Sequence, residues 1–498
     1  MTSLVAALLL PPVVSAQAIR TALDVNHAKP WPVAELTGTA VYNGLPANYS
    51  FEFESNGRYL CKIESPLGDT FACDGNNYWN ADRTGATRGV AFEEKDEQRF
   101  IDLILTDAWL DPNPNIRLTP QTQKPGQKDS HLTLQLLDTG LTADVDLDVK
   151  TKRPLSVTTQ FTGGPYTLKI TSWIQAGNRW VPKDYDAIDG GVTDKFRVAD
   201  SHPAAAPDLQ MPAWQPKDVE YDPAQSTKVE AKRLLSGHIA VHPLLNGKDA
   251  GWFLLDTGAS GMCIDSTTAK NLDLKTFGDT AVVGIGGILH QPFVTLKTFQ
   301  LGPQTIKGLT FVELDLEPLS NAFGIPIGGI VGYDFFRRSL LSVQPVGAKI
   351  DVLDPATYQL PQGASWNPLQ FPDGNIAVQA SFEGDHTGWF RLDTGADGTV
   401  TFHSPIVEKD RLLQGRKTDK IEQAGVGGNS ESLTGEISWF QLGGHKFVNP
   451  RAVFSQNKVG VFSDRYLAGN IGEDLLSPFD VIFDYANSRI AFLPAQTK

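Results

Sequence analysis

Gly388-Trp389-Phe390-Arg391-Leu392-Asp393-Thr394-Gly395-Ala396 repeats, 137 residues further along, the stretch Gly251-Trp252-Phe253-Leu254-Leu255-Asp256-Thr257-Gly258-Ala259. Each copy is a mostly apolar run that ends in Asp-Thr-Gly-Ala. One aspartate cannot hydrolyse a peptide bond unaided, whereas two brought within hydrogen-bonding distance share a single proton, because like charges that close cannot both ionise. One carboxylate of such a pair activates water and the other protonates the substrate. Asp256 and Asp393 are therefore the candidate catalytic pair.

The duplication extends well beyond the tetrapeptide. Gly237, Ile239-Ala240-Val241 and Gly247 return as Gly374, Ile376-Ala377-Val378 and Gly384 at the same 137-residue offset. Gly284-Ile285-Gly286-Gly287 returns as Gly425-Val426-Gly427-Gly428, and Phe299-Gln300-Leu301-Gly302 as Phe440-Gln441-Leu442-Gly443, both at offset 141, so four residues separate the copies' spacing. Ile330-Val331-Gly332 with Asp334-Phe335-Phe336 matches Asn470-Ile471-Gly472 with Asp474-Leu475-Leu476 at offset 140. Two related lobes are expected over residues 230–355 and 356–498.

These residues resemble the pepsin and retropepsin clan of aspartic peptidases over slightly more than half the chain. The second motif, Asp393 to Val400, is similar to the retroviral form. The resemblance implies a mainly β fold with a bilobal pair of β-barrels, Asp256 and Asp393 facing each other across the cleft between them. It implies that the Thr257 and Thr394 hydroxyls cross-link the two loops beneath the carboxylates. Gly258 and Gly395 are expected where a side chain would clash or where φ is positive, which only glycine adopts cheaply. Gly284, Ile285, Gly286 and Gly287, with Gly425, Val426, Gly427 and Gly428, are expected to form flap hairpins that close over an extended peptide and reopen. Ala259 and Ala396 stand where pepsins usually carry a hydroxyl, and no Tyr lies in either flap region. Loss of a hydroxyl that stabilises the ionised dyad predicts activity at less acidic pH than pepsin's. The implied activity is that of an aspartic endopeptidase on peptide or protein substrates; the alternative is a catalytically inactive peptide-binding scaffold of the same fold.

Asp138-Thr139-Gly140 is a third copy of the tripeptide, followed by Leu141 and by none of the downstream segments. It reads as a β-turn between two strands. Asp334 and Asp474 read as helix caps or turn residues. Asp144, Asp146 and Asp148 alternate with Val145, Leu147 and Val149, which makes them the solvated face of one strand. The nine histidines form no H-E-x-x-H pattern, so neither a metal nor another cofactor is expected.

The chain has 498 residues, enough for about three domains, and its net charge of -14 argues against nucleic-acid binding. Met1 to Ala18 is apolar and ends in small residues, like a secretory signal, and no later segment is long and apolar enough to span a membrane. An exported protein, periplasmic or secreted, is the expectation. Residues 19–200 alternate apolar and polar in short runs, as in Tyr49-Ser50-Phe51-Glu52-Phe53-Glu54, and predict an antiparallel β-rich domain with one or two helices, one from Glu93 to Trp109. Gly75-Asn76-Asn77-Tyr78-Trp79 and Lys152-Arg153-Pro154-Leu155 weakly resemble periplasmic lipoprotein-carrier domains. Cys61 and Cys73 flank a turn and are a candidate cross-strand disulfide or a pair of free thiols. Residues 201–229, with Pro203, Pro207, Pro212, Pro216 and Pro223, predict a stiff linker. The short connection between the lobes favours pairing within one chain, and hence a monomer.

Overall fold

The computed structural model describes residues 31–495 apart from 55, 112, 122–129, 149, 152, 285–287 and 426–427. The expected leader, Met1 to Ala18, with Val149, Lys152 and the expected flap residues Ile285, Gly286, Gly287, Val426 and Gly427, lies outside the described residues. The fold is mainly β, as the alternation predicts.

The N-terminal region forms one 13-stranded antiparallel sheet of two meanders. They join where Val33–Tyr42 pairs with Val192–Pro203. Within Leu45–Glu54, Ala47, Tyr49, Phe51 and Phe53 point into the core while their neighbours face outward, the period-two signature of a half-buried strand. A helix, Phe92–Leu105, crosses between the meanders and buries Phe100, Ile104 and Leu105 against that same face. Glu93 and Glu94 in its first turn complement the positive end of the helix dipole. The expected helix is thus present, ending at Leu105 with a separate 3-10 turn at Ala108–Leu110.

Three further readings of this region are decided by register and turn geometry. Asp138 and Thr139 occupy the turn between Ser130–Leu136 and Thr142–Leu147, as expected of a chance tripeptide. Asp146 on the neighbouring strand accepts from Ser156 at 2.6 Å and bonds His131, while Ala143, Val145 and Leu147 are buried. The disulfide reading of Cys61 and Cys73 is corrected: both are free thiols. Register sets Cys73 opposite Tyr59 and Cys61 opposite Phe71, so the two cysteines are diagonal rather than facing.

The C-terminal half contains an eight-stranded sheet in the first lobe and a nine-stranded sheet in the second. A six-stranded sheet joins them, because Leu340–Gln344 of the first lobe pairs antiparallel with Phe479–Asp484 of the second. Tyr333, Phe336, Phe371 and Tyr485 pack beneath the junction, with Phe336 and Tyr485 stacked at 5.2 Å. Both lobes therefore share one apolar core. Asp334 and Asp474 sit in the first turns of Tyr333–Phe336 and Glu473–Leu476, whose cap positions are Gly332 and Gly472; the aspartates are turn residues rather than caps.

The proline-rich segment is a strap, not a spacer. Leu209 is buried against Leu60, Ala72 and Trp79, and the Trp79 indole donates to its carbonyl at 2.9 Å. Gln215 and Lys217, lying between prolines, keep N–H groups that bond Gly85 and Thr84. Val219–Tyr221 and Lys228–Val229 then pair as edge strands in two lobe sheets, a position prolines nearby allow.

A buried arginine fastens the halves together. Arg338 donates from Nε to Asp218 at 2.9 Å and from one terminal nitrogen to Asp82 at 2.8 Å and Thr84 at 3.0 Å. Burial would raise the Asp82 carboxyl, but Arg337 and Arg338 outweigh it and hold the group at about 2. Arg338→Ala leaves the buried Asp218 without its guanidinium and Asp82 with Arg337 alone, and is expected to cost about 3–5 kcal/mol. Denaturant unfolding checks this; an unchanged midpoint contradicts it.

Candidate active site

The two Asp-Thr-Gly loops arise from the same local topology in each lobe. Trp252–Leu255 runs parallel to Ile327–Val331, and the Asp256 N–H bonds the Val331 carbonyl at 3.0 Å. His386–Leu392 runs parallel to Gly469–Ile471, and the Asp393 N–H bonds the Ile471 carbonyl at 2.9 Å. Each aspartate thus leaves the end of a buried strand, fixed by its own lobe's core.

Reciprocal threonine bonds lock the loops to each other. The Thr257 N–H donates to Thr394 Oγ1 at 3.0 Å, and the Thr394 N–H to Thr257 Oγ1 at 3.1 Å. Their hydroxyls in turn donate to the Leu392 and Leu255 carbonyls at 2.7 and 2.9 Å. All four bonds are buried and cross the interface between lobes. Each threonine side chain is fully used as donor and acceptor, so valine, which has the same shape, cannot replace it.

Above this lattice the carboxyls of Asp256 and Asp393 share a hydrogen bond. Gly258 and Gly395 each donate an N–H to the aspartate of their own loop, at 2.8 and 2.9 Å. Neither glycine has positive φ, which corrects one of the two reasons offered for them. The demand is steric: a Cβ on Gly258 would lie 2.4 Å from the Asp393 carboxyl carbon, and one on Gly395 2.4 Å from that of Asp256.

Burial raises both carboxyls, and their mutual repulsion adds to this at Asp256, which is pushed up to about 8. At Asp393 the Arg391 guanidinium and the Gly395 N–H oppose the rise. The surroundings of the two aspartates are therefore unequal. Asn470 donates from Nδ2 to Asp393 Oδ2 at 3.2 Å, and His238 bonds the Gly395 carbonyl at 2.8 Å. Sequence patterning does not mark His238 as a site residue, whereas Asn470 and Arg391 break the apolar pattern of their counterparts Ile330 and Leu254.

The dyad lies in a cleft of about 1580 Å³ whose walls come from both lobes and from the N-terminal region. The first-lobe hairpin, Phe277–Val283 and Ile288–Thr295, and the second, Asp419–Gly425 and Gly428–Glu436, are present where flaps are expected. Two turns of the N-terminal sheet press on the first hairpin. The Asp279 N–H bonds the Asn43 carbonyl at 3.1 Å, a Cβ on Gly190 would lie 2.8 Å from Ala281 Cβ, and one on Gly191 2.9 Å from His290 Nε2. The helix start adds a wall, where Phe92 packs edge-on to Trp389 at 5.9 Å and Glu93 accepts from Thr162. Contributions from so distant a part of the chain carry no signal in the sequence.

The raised Asp256 carboxyl makes a prediction that needs no substrate. Between about pH 4 and pH 8 the folded protein holds a proton that the unfolded chain has lost, so this group's contribution to stability is full below about 4 and lost as pH rises to about 8. Asp256→Asn does not titrate, so its melting temperature should gain on that of the native protein across this window. A constant difference in thermal melts from pH 4 to pH 8 contradicts it.

No curated protein shows significant similarity to the chain. A crystal structure described as an outer membrane lipoprotein-sorting protein domain from Vibrio parahaemolyticus is 12% identical, covering 38% of this chain and 91% of that one, with a TM-score of 0.27. At that score the likeness carries no argument. Residues 241–335, which contain Asp256 and the first hairpin, match the family model described as aspartyl protease, so the resemblance to that family read from the paired motifs is borne out in the first lobe.

Proposed function

We propose that the protein is an aspartic endopeptidase in which Asp256 and Asp393 act as one catalytic pair. The observation that carries this reading is the reciprocal Thr257 and Thr394 lattice, which brings the two carboxyls from separate lobes into one hydrogen-bonded pair at the floor of a shared cleft. The cleft of about 1580 Å³ exceeds the ~300–1,000 Å³ of small-molecule pockets and suits an extended peptide. Hairpin edges above it offer backbone partners for a peptide bound as an added strand.

With one proton on the pair, a water between the carboxyls loses its proton to the ionised aspartate as its oxygen attacks the scissile carbonyl carbon. The protonated aspartate gives its proton to the carbonyl oxygen, which yields a neutral gem-diol. Collapse of that intermediate breaks the C–N bond. The first aspartate passes its proton to the leaving nitrogen, and the second recovers one from a hydroxyl of the gem-diol. No covalent intermediate forms, and the dyad returns to its starting state.

Asp256→Asn and Asp393→Asn should each lower kcat on a mixed peptide library by at least ~10³-fold, since the pair works as a unit. The native protein should lose activity as pH rises through about 8, where the shared proton leaves, and should retain it well above the strongly acidic range. Cleavage unaffected by either substitution contradicts the dyad. Peptide binding without cleavage by the native protein would favour the inactive scaffold instead.

A further inference from the structure

The lobes are related by repetition, but the residues beside the two aspartates are not. In the first lobe Leu254 pairs with Ile330, one strand position before Asp256's own support. At the matching place in the second lobe Arg391 pairs with Asn470. Both polar residues are buried, Asn470 at 5% exposure and Arg391 at 9%, where an unpartnered polar group is costly. A fold that needed only packing here would have repeated the apolar pair.

Asn470 is held at both ends of its amide. Its Nδ2 faces Asp393 Oδ2 at 3.2 Å, and its Oδ1 lies 3.3 Å from Nε2 of His403, which is fully buried. With a proton on Nε2, His403 donates to Oδ1 and turns the amide nitrogen toward Asp393. An N–H aimed at a carboxylate oxygen favours the charged form of that group. Burial and the nearby Arg391 keep the imidazole neutral, with a pKa down to about 4, against the opposing pull of Asp464. The charged and titratable groups that bear on Asp393 are thus Asp256, Arg391 and His238, and those that bear on His403 are Asp464 and Arg391. Asp256 has no equivalent of Asn470; among the described residues its recorded donors are loop N–H groups and its partner aspartate.

We propose that Asn470, oriented by His403, is a positioning residue that keeps Asp393 as the ionised member of the dyad and leaves the shared proton on Asp256. This rests on the reading of the site as a proteolytic dyad. Asp393 is then the group that takes the proton from water, and Asp256 the group that protonates the carbonyl oxygen. The two repeated motifs have fixed and different duties.

The test uses the full-length protein with Asn470→Ile, which copies Ile330 of the first lobe, and Asn470→Leu, which keeps the approximate side-chain size and removes the donor without adding a titratable group. A hydrogen bond to a charged group favours it by a factor of roughly ten to a hundred, so the acid limb of the kcat/KM profile should move up by about one to two pH units. At pH 5 kcat should fall by a similar factor while KM changes little. An acid limb in the native position for either folded variant overturns the proposal. A second readout does not depend on turnover: in an Asp256→Asn background, where only Asp393 of the pair titrates, adding Asn470→Ile should shift the pH at which thermal stability changes upward by at least half a pH unit. No shift overturns the proposal even if the native protein cleaves peptides, and a shift without any native cleavage supports it while refuting the endopeptidase reading.

Discussion

Four buried hydrogen bonds between Thr257 and Thr394 and the strands that precede the facing aspartates are the constraint on which the rest of the site depends. They form only when both lobes are folded and in register, so the dyad does not exist in either lobe alone. Opposing carboxyls pressed together repel and resist burial, and something must hold them there. The threonine lattice does so from below, while the shared core around Tyr333, Phe371 and Tyr485 keeps the lobes from separating. The glycines follow from the same demand, since each sits under the other lobe's carboxyl with no room for a Cβ.

Repetition builds the site and divergence differentiates it. The backbone bonds supporting Asp256 and Asp393 are nearly identical, but Arg391, Asn470 and His403 belong to one lobe only. A second divergence is the N-terminal sheet, which no symmetry relates to anything else. Its turns bear on the first hairpin and its helix walls the cleft, with the Asp96 carboxylate accepting from the Tyr466 hydroxyl of the second lobe at 2.6 Å. Arg338 and its aspartates make this docking a buried, charged junction rather than a loose tether. The region thus walls the cleft that holds the dyad, a wall the two lobes alone would lack.

Much of this was legible in the chain. The repeat of Gly-Trp-Phe and Asp-Thr-Gly-Ala marks strand, turn and aspartate in each lobe because the same backbone path requires the same residues. Alternation in Tyr49 to Glu54 identifies a half-buried strand, since period two has few other causes. What sequence left open depends on distance rather than pattern. The facing of Cys61 and Cys73 is decided by a strand register that the intervening turn does not fix. The steric reason for Gly258 and Gly395 appears only when the opposite lobe is in place. His238 follows a turn and His403 precedes the helix Ser404–Lys409, and only their three-dimensional neighbours mark them out, whereas Arg391 stands where the first copy has Leu254. Leu209 and the backbone groups of Gln215 and Lys217 turn an apparent spacer into a strap, which proline content alone cannot reveal.

The central claim is that Asp256 and Asp393 present one shared, hydrogen-bonded site to a tetrahedral intermediate. A crystal structure of the full-length protein with a peptide inhibitor carrying a single hydroxyl in place of the scissile bond tests it most directly. That hydroxyl should lie within hydrogen-bonding distance of both carboxyls, with the peptide extended along the cleft beneath the two hairpins. An inhibitor bound elsewhere, or touching only one of the two aspartates, would contradict it.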